Sequence, residues 1–156
     1  MRKIIASLLM FAALPAFAHS GHAEQTASFM VGFIHPLTGL DHVLAMFAVG
    51  LWSAAMSRRI WLAPTGFAAT LLIGALLAQG GFALPVVEPV IAASVLLTGL
   101  LVMTRSRLPE AAAAAMAAGF ALFHGAAHGQ ELSAPSSLGG IVLASALLHC
   151  LGIAMG

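Results

Sequence analysis

With 156 residues, 61% of them hydrophobic and 7% charged, the chain has a mean hydropathy of +1.04, too high for a water-soluble domain of this length. Six basic and five acidic residues leave a formal charge of +1, so there is no basic surface for nucleic acid. Residues 71–78 and 91–103 are apolar on every side instead of alternating, which argues against a membrane barrel and predicts an all-α integral membrane protein.

The chain opens with Met1-Arg2-Lys3, an apolar run over residues 4–14 and Ala16-Phe17-Ala18. A basic start, a short apolar core and a small-x-small ending predict a cleaved secretory signal peptide over residues 1–18, leaving 19–156 as the transmembrane domain. The alternative is an uncleaved first span, for which the run falls short of the roughly 20 residues a bilayer needs. Cleavage after Ala18 puts His19-Ser20-Gly21-His22 at the outer face, where the two histidines are either metal-capture ligands or part of an ordinary polar terminus.

Residues 29–34 are apolar but too few to span, and read as a re-entrant or interfacial piece. His35-Pro36-Leu37-Thr38-Gly39-Leu40-Asp41-His42 follows. Pro36 disfavours helix at His35, so residues 36–39 predict a turn before the helix that carries Asp41 and His42. Non-helical backbone at membrane depth usually lines a cavity. Taken singly, Asp41 is an ordinary helix cap and each histidine a core residue; taken together they are candidate ligands. Met46 lies one turn below His42, where a thioether would favour a softer metal, although core packing is the plainer reading in a chain with eight methionines.

Gaps between helix breakers predict five spans, over residues 39–56, 60–79, 85–103, 109–128 and 137–156. Without Arg2 and Lys3, the basic residues Arg58, Arg59, Arg105 and Arg107 all fall in two connections, against Glu24, Asp41, Glu88, Glu110 and Glu131 elsewhere. The positive-inside rule makes those connections cytoplasmic. A cleaved signal peptide independently delivers the mature N-terminus outside and the first span inward, so the two arguments agree on a multi-pass protein of the bacterial inner membrane with a periplasmic N-terminus. Both histidine groups then reach the outer level.

In span four, His124, His128 and Glu131 are spaced i, i+4, i+7 and share one helical face. They can converge on a cation, or be polar residues where the helix meets water. Gly125 and Gly129 beside them allow a neighbouring backbone to approach closely. Glu88, at the outer end of span three, either joins the site or marks the interface. His149 lies about a dozen residues into span five, on the order of 18 Å below its outer end. It is either an inner relay for an ion that has left the outer site or a histidine hydrogen-bonded to a neighbouring helix. Cys150 is the only cysteine, which excludes an internal disulfide and points to simple packing.

Imidazole with carboxylate suits Ni²⁺, Co²⁺, Zn²⁺ or Cu²⁺, whereas Mg²⁺ and Ca²⁺ sites are built from oxygen. These residues resemble the HupE/UreJ hydrogenase and urease accessory proteins: the His35 to His42 run continuing into Leu44-Ala45-Met46, and Phe123-His124-Gly125-Ala126-Ala127-His128-Gly129-Gln130-Glu131, occur in the family's order. Residues 88–99 and the signal peptide also fit, so the resemblance covers nearly the whole chain. It implies uptake of nickel, in some members cobalt, for metalloenzyme maturation, with partners in the maturation machinery. His35, Asp41, His42, His124 and His128 match the family's motif residues, and Glu131 is a further matching position. Such proteins usually continue past the stretch resembling residues 147–156 into one more hydrophobic helix, which this bundle is expected to lack; either a homo-oligomer then completes the pathway or the functional protein is longer than 156 residues.

Two functions of different class fit the ligands. The first is a permease that strips water from Ni²⁺ and passes it between helices, with no organic cofactor. No phosphate-binding Gly-rich loop ending in Gly-Lys-Ser/Thr is present, so a gradient, the membrane potential or a partner must drive it. The second is an intramembrane zinc-dependent hydrolase, in which three histidines hold Zn²⁺ and Asp41 or Glu131 activates water. Bis-histidine haem binding is a third, less economical use of the same side chains.

Overall fold

The computed structural model describes residues 28–132 and 134–156, and these form six helices with no strand. The helices are α1 (Phe29–Thr38), α2 (Leu40–Met56), α3 (Leu62–Gln79), α4 (Val87–Thr104), α5 (Glu110–Glu131) and α6 (Pro135–Met155). Four of them, α3 to α6, are each long and apolar enough to cross a membrane. The α1–α2 pair passes the same test jointly, bent by 85°, which makes the fifth span a broken one or α1 a re-entrant arm. The all-helical multi-pass architecture is as expected. The signal peptide, His19 and His22 lie outside the described residues.

The expected turn over residues 36–39 is a correction: α1 runs through His35 and Pro36 to Thr38, and the break is confined to extended Gly39 (φ −87°, ψ 111°). Proline here removes only the bond to the Gly32 carbonyl, in the last turn of a short helix. In that same turn Thr38 Oγ donates to the His35 carbonyl at 2.7 Å, and at the other end the Ser28 hydroxyl caps the Val31 N–H at 3.2 Å. The last turn of α5 is also longer than expected and carries Glu131 on the helix.

Parallel helix pairs hold the bundle together through glycine. A Cβ at Gly125 would overlap the Leu71 carbonyl, at Gly129 that of Ala75, and at Gly74 that of Leu122, so α3 and α5 meet backbone to backbone. In the same way Gly50 lies on the His149 carbonyl and Gly152 on that of Phe47, which joins α2 to α6. Within a bilayer, where apolar burial gives no drive for association, such close approach is what packs helices. Met46, Val49, Trp52, Phe67, Leu71, Ile141 and Leu148 fill the core between these pairs.

The two arginine-bearing connections meet at one end. There Glu110 accepts from Ser57 Oγ at 2.8 Å and from the Arg58 N–H at 2.9 Å, while Trp52 Nε1 donates to the Ser106 carbonyl at 2.8 Å. At the opposite end the Gln79 amide donates to the Leu132 carbonyl at 2.6 Å, beside the end of α5.

Candidate metal site

The opposite end from the arginines collects the histidines. The α3–α5 glycine contacts set the rotation of α5 and bury His124 and His128, each adjacent in sequence to a contact glycine. The bend at Gly39 carries the first turn of α2 across them, and α1 reaches in with His35. Ring centroids are 4.3 Å apart for His42 and His128, 4.8 Å for His42 and His124, and 5.2 Å for His35 and His128. The structure thus brings together His35, Asp41, His42, His124, His128 and Glu131. Glu88 is exposed in the first turn of α4 and makes no hydrogen bond or ion pair with the cluster, and Cys150 is exposed on α6.

The protons of two of these rings follow from their neighbours. Asp41 Oδ1 accepts from the His42 backbone N–H at 3.0 Å and lies 3.1 Å from His42 Nδ1. A carboxylate only accepts, so Nδ1 carries the proton and Nε2 keeps its lone pair. That Nε2 is buried without a hydrogen-bond partner. Ser94 does the same for His124 from α4. Its hydroxyl donates to the Ile91 carbonyl at 2.6 Å, so toward His124 Nε2, at 2.8 Å, it accepts. The proton of His124 is on Nε2, and Nδ1, buried and unpartnered, holds the lone pair. Both rings are therefore set in opposite tautomers by an acceptor behind them, an arrangement familiar from metal-binding histidines.

His128 has no partner at either nitrogen. It also belongs to a second group, because one ligand atom each from His35, His128 and Glu131 lie within 4.8 Å of one another. His35 Nε2 is 2.5 Å from Glu131 Oε2, and these two side chains are the accessible ones, 24% and 47% exposed. The site therefore has an outer group at the accessible surface and an inner group of His42 and His124, with His128 close to both. Unpaired buried imidazole nitrogens are costly in a folded protein, and a first-row divalent cation is the ligand that matches this donor set.

Sequence reasoning missed Ser94. A polar residue inside an apolar span was the available signal, but its meaning depends on the rotation of α4. Met46 is fully buried in the apolar core, in keeping with packing.

The family model described as HupE / UreJ protein matches residues 7–156. The chain belongs to the HupE/UreJ family. It is 39% identical over 159 residues to Protein HupE of Rhizobium leguminosarum bv. viciae, an alignment that takes in 97% of this chain and 82% of that one. No solved structure matches. HupE/UreJ proteins are accessory and permease proteins of hydrogenase and urease systems linked to nickel and cobalt handling, so the chain is a multi-pass membrane protein of that kind and not an enzyme. The hydrolase reading is set aside.

Proposed function

We propose that this HupE/UreJ protein carries Ni²⁺, with Co²⁺ as a second cargo, inward across the bacterial inner membrane, and that the histidine cluster is its periplasmic entry site. The observation that supports this most is the set of buried ring nitrogens of His42, His124 and His128 that no protein group satisfies. Glu131 and His35, at the accessible edge, meet the hydrated ion. His128 exchanges it into the inner group, where His42 Nε2 and His124 Nδ1 replace water. Ring centroids no more than 5.2 Å apart let one ligand engage before the previous one lets go.

A membrane potential, negative inside, favours inward movement of a divalent ion by about 4.6 kcal/mol per 100 mV, twice the single-charge value. The metal then passes to hydrogenase or urease maturation partners. The test is accumulation of radiolabelled nickel, with cobalt as competitor, in cells devoid of other nickel importers. His42→Ala and His128→Ala should each abolish accumulation while the protein remains in the membrane. Uptake equal to the parent in both variants would remove the cluster from the path.

A further inference from the structure

Below the cluster, the bundle buries one more imidazole that the entry site does not use. His149, on α6, is 2% exposed, and neither ring nitrogen makes a hydrogen bond. The Ser145 carbonyl, one turn earlier on the same helix, lies near the ring without making a hydrogen bond to it. The hydrogen bond to a neighbouring helix that the sequence left open for His149 is not formed. Packing fixes the backbone that carries it: Gly50 of α2 lies against the His149 carbonyl, where α2 and α6 meet.

The ring stands near the entry site. Phe67 of α3, fully buried, packs against both, 5.5 Å from His124 and 5.0 Å from His149 between ring centroids. His124 is seven residues from the end of α5 and His149 fourteen from the start of α6, so at 1.5 Å per residue His149 is about 10 Å deeper. The side chains Glu131, His35, His128, His42, His124, Phe67 and His149 therefore descend from the accessible edge to the middle of the bundle. Every member but Phe67 carries an atom able to bind a metal. Phe67 closes the gap between the last two, and an aromatic ring moves aside by side-chain rotation, which a backbone barrier cannot do.

We propose that His149 is an inner metal-binding station for a divalent transition-metal ion, reached from His124 past the Phe67 ring. The proposal rests on the entry-site reading above. An ion at His149 is insulated from the outer solvent by an apolar plug, so the two stations are alternately accessible rather than joined by an open pore.

The test compares His149→Leu, which keeps an apolar side chain of similar bulk without a ligand, with His149→Met, which keeps a thioether ligand. His149→Phe serves in place of the leucine variant if the latter reaches the membrane in lower amount. Ni²⁺ binding to the purified parent and variants is measured alongside initial uptake rates in proteoliposomes with an imposed potential. First-ion affinity should stay within about twofold of the parent in all of them, since the entry cluster is intact. Uptake should fall at least tenfold in His149→Leu and recover severalfold in His149→Met. Parent-like uptake in the leucine variant, or equal loss in both variants, would overturn the inner station and leave the entry site standing. A parent that binds no Ni²⁺ would overturn both.

Discussion

The two ends of the bundle bury polar groups in opposite ways. At the arginine end the covered ones are answered within the protein, Trp52 by the Ser106 carbonyl and Ser53 by the Ile60 carbonyl at 2.7 Å, while Glu110 at the surface takes bonds from Ser57 and Arg58. At the histidine end the rings of His42 and His124 are oriented by Asp41 and Ser94, yet the second nitrogen of each is buried without a hydrogen-bond partner. Satisfied groups rigidify, and unsatisfied ones cost free energy until something binds. On the function proposed above, one end stays shut and the other is completed by its cargo.

The framework common to both ends is the most sensitive target. Gly129→Leu drives a side chain into the Ala75 backbone and forces α5 off α3. We expect little protein in the membrane and destabilisation above about 4 kcal/mol, the range reserved for severe packing faults. Gly119→Leu on the same helix meets open space and should accumulate at parental level. Equal amounts of both variants, measured by membrane quantification, would mean that the glycine seam does not hold the site.

Asp41→Asn comes next, because it spares the fold and attacks the asymmetry directly. An amide can turn its NH₂ toward His42 Nδ1, which moves the imidazole proton to Nε2 and removes the lone pair from the cluster. Loss of an orienting carboxylate typically weakens metal affinity 10- to 100-fold, and that is the expected fall in Ni²⁺ affinity by titration calorimetry. Ser94→Ala withdraws the acceptor behind His124 and frees its tautomer, for a smaller loss of about tenfold. An unaltered affinity in Ser94→Ala would show that His124 is oriented by packing alone.

Much of this architecture is legible in the amino-acid sequence. Long apolar runs between Pro, Gly and Arg punctuation gave the spans nearly to their observed ends, since a bilayer demands length and uniform hydropathy and both are properties of sequence. The i, i+4, i+7 spacing of His124, His128 and Glu131 put them on one face, and Gly125 and Gly129 announced a close neighbour. The course through Pro36 was not legible. The bias of a residue before proline is a local average, and a final helical turn that loses a single hydrogen bond can override it. Ser94 and Phe67 were hidden for a different reason: an isolated serine or phenylalanine in an apolar span acquires a role only once the rotation of its helix against the others is known.

The mildest change tests the closed end. Trp52 is buried at the arginine end of α2, and Trp52→Phe removes its bond to the Ser106 carbonyl and part of its bulk. One such bond contributes about 1 kcal/mol, and the smaller ring adds a similar packing loss, so thermal unfolding in detergent should shift down by a few degrees. Ni²⁺ affinity should not move, because the cluster lies at the far end of the same helix. Nickel uptake is the informative readout. If the arginine end must open for the ion to leave, loosening Trp52 from Ser106 should hold the rate at or above that of the parent while stability falls. A fall in both, with affinity unchanged, would show that this contact supports the conducting bundle and does not restrain it.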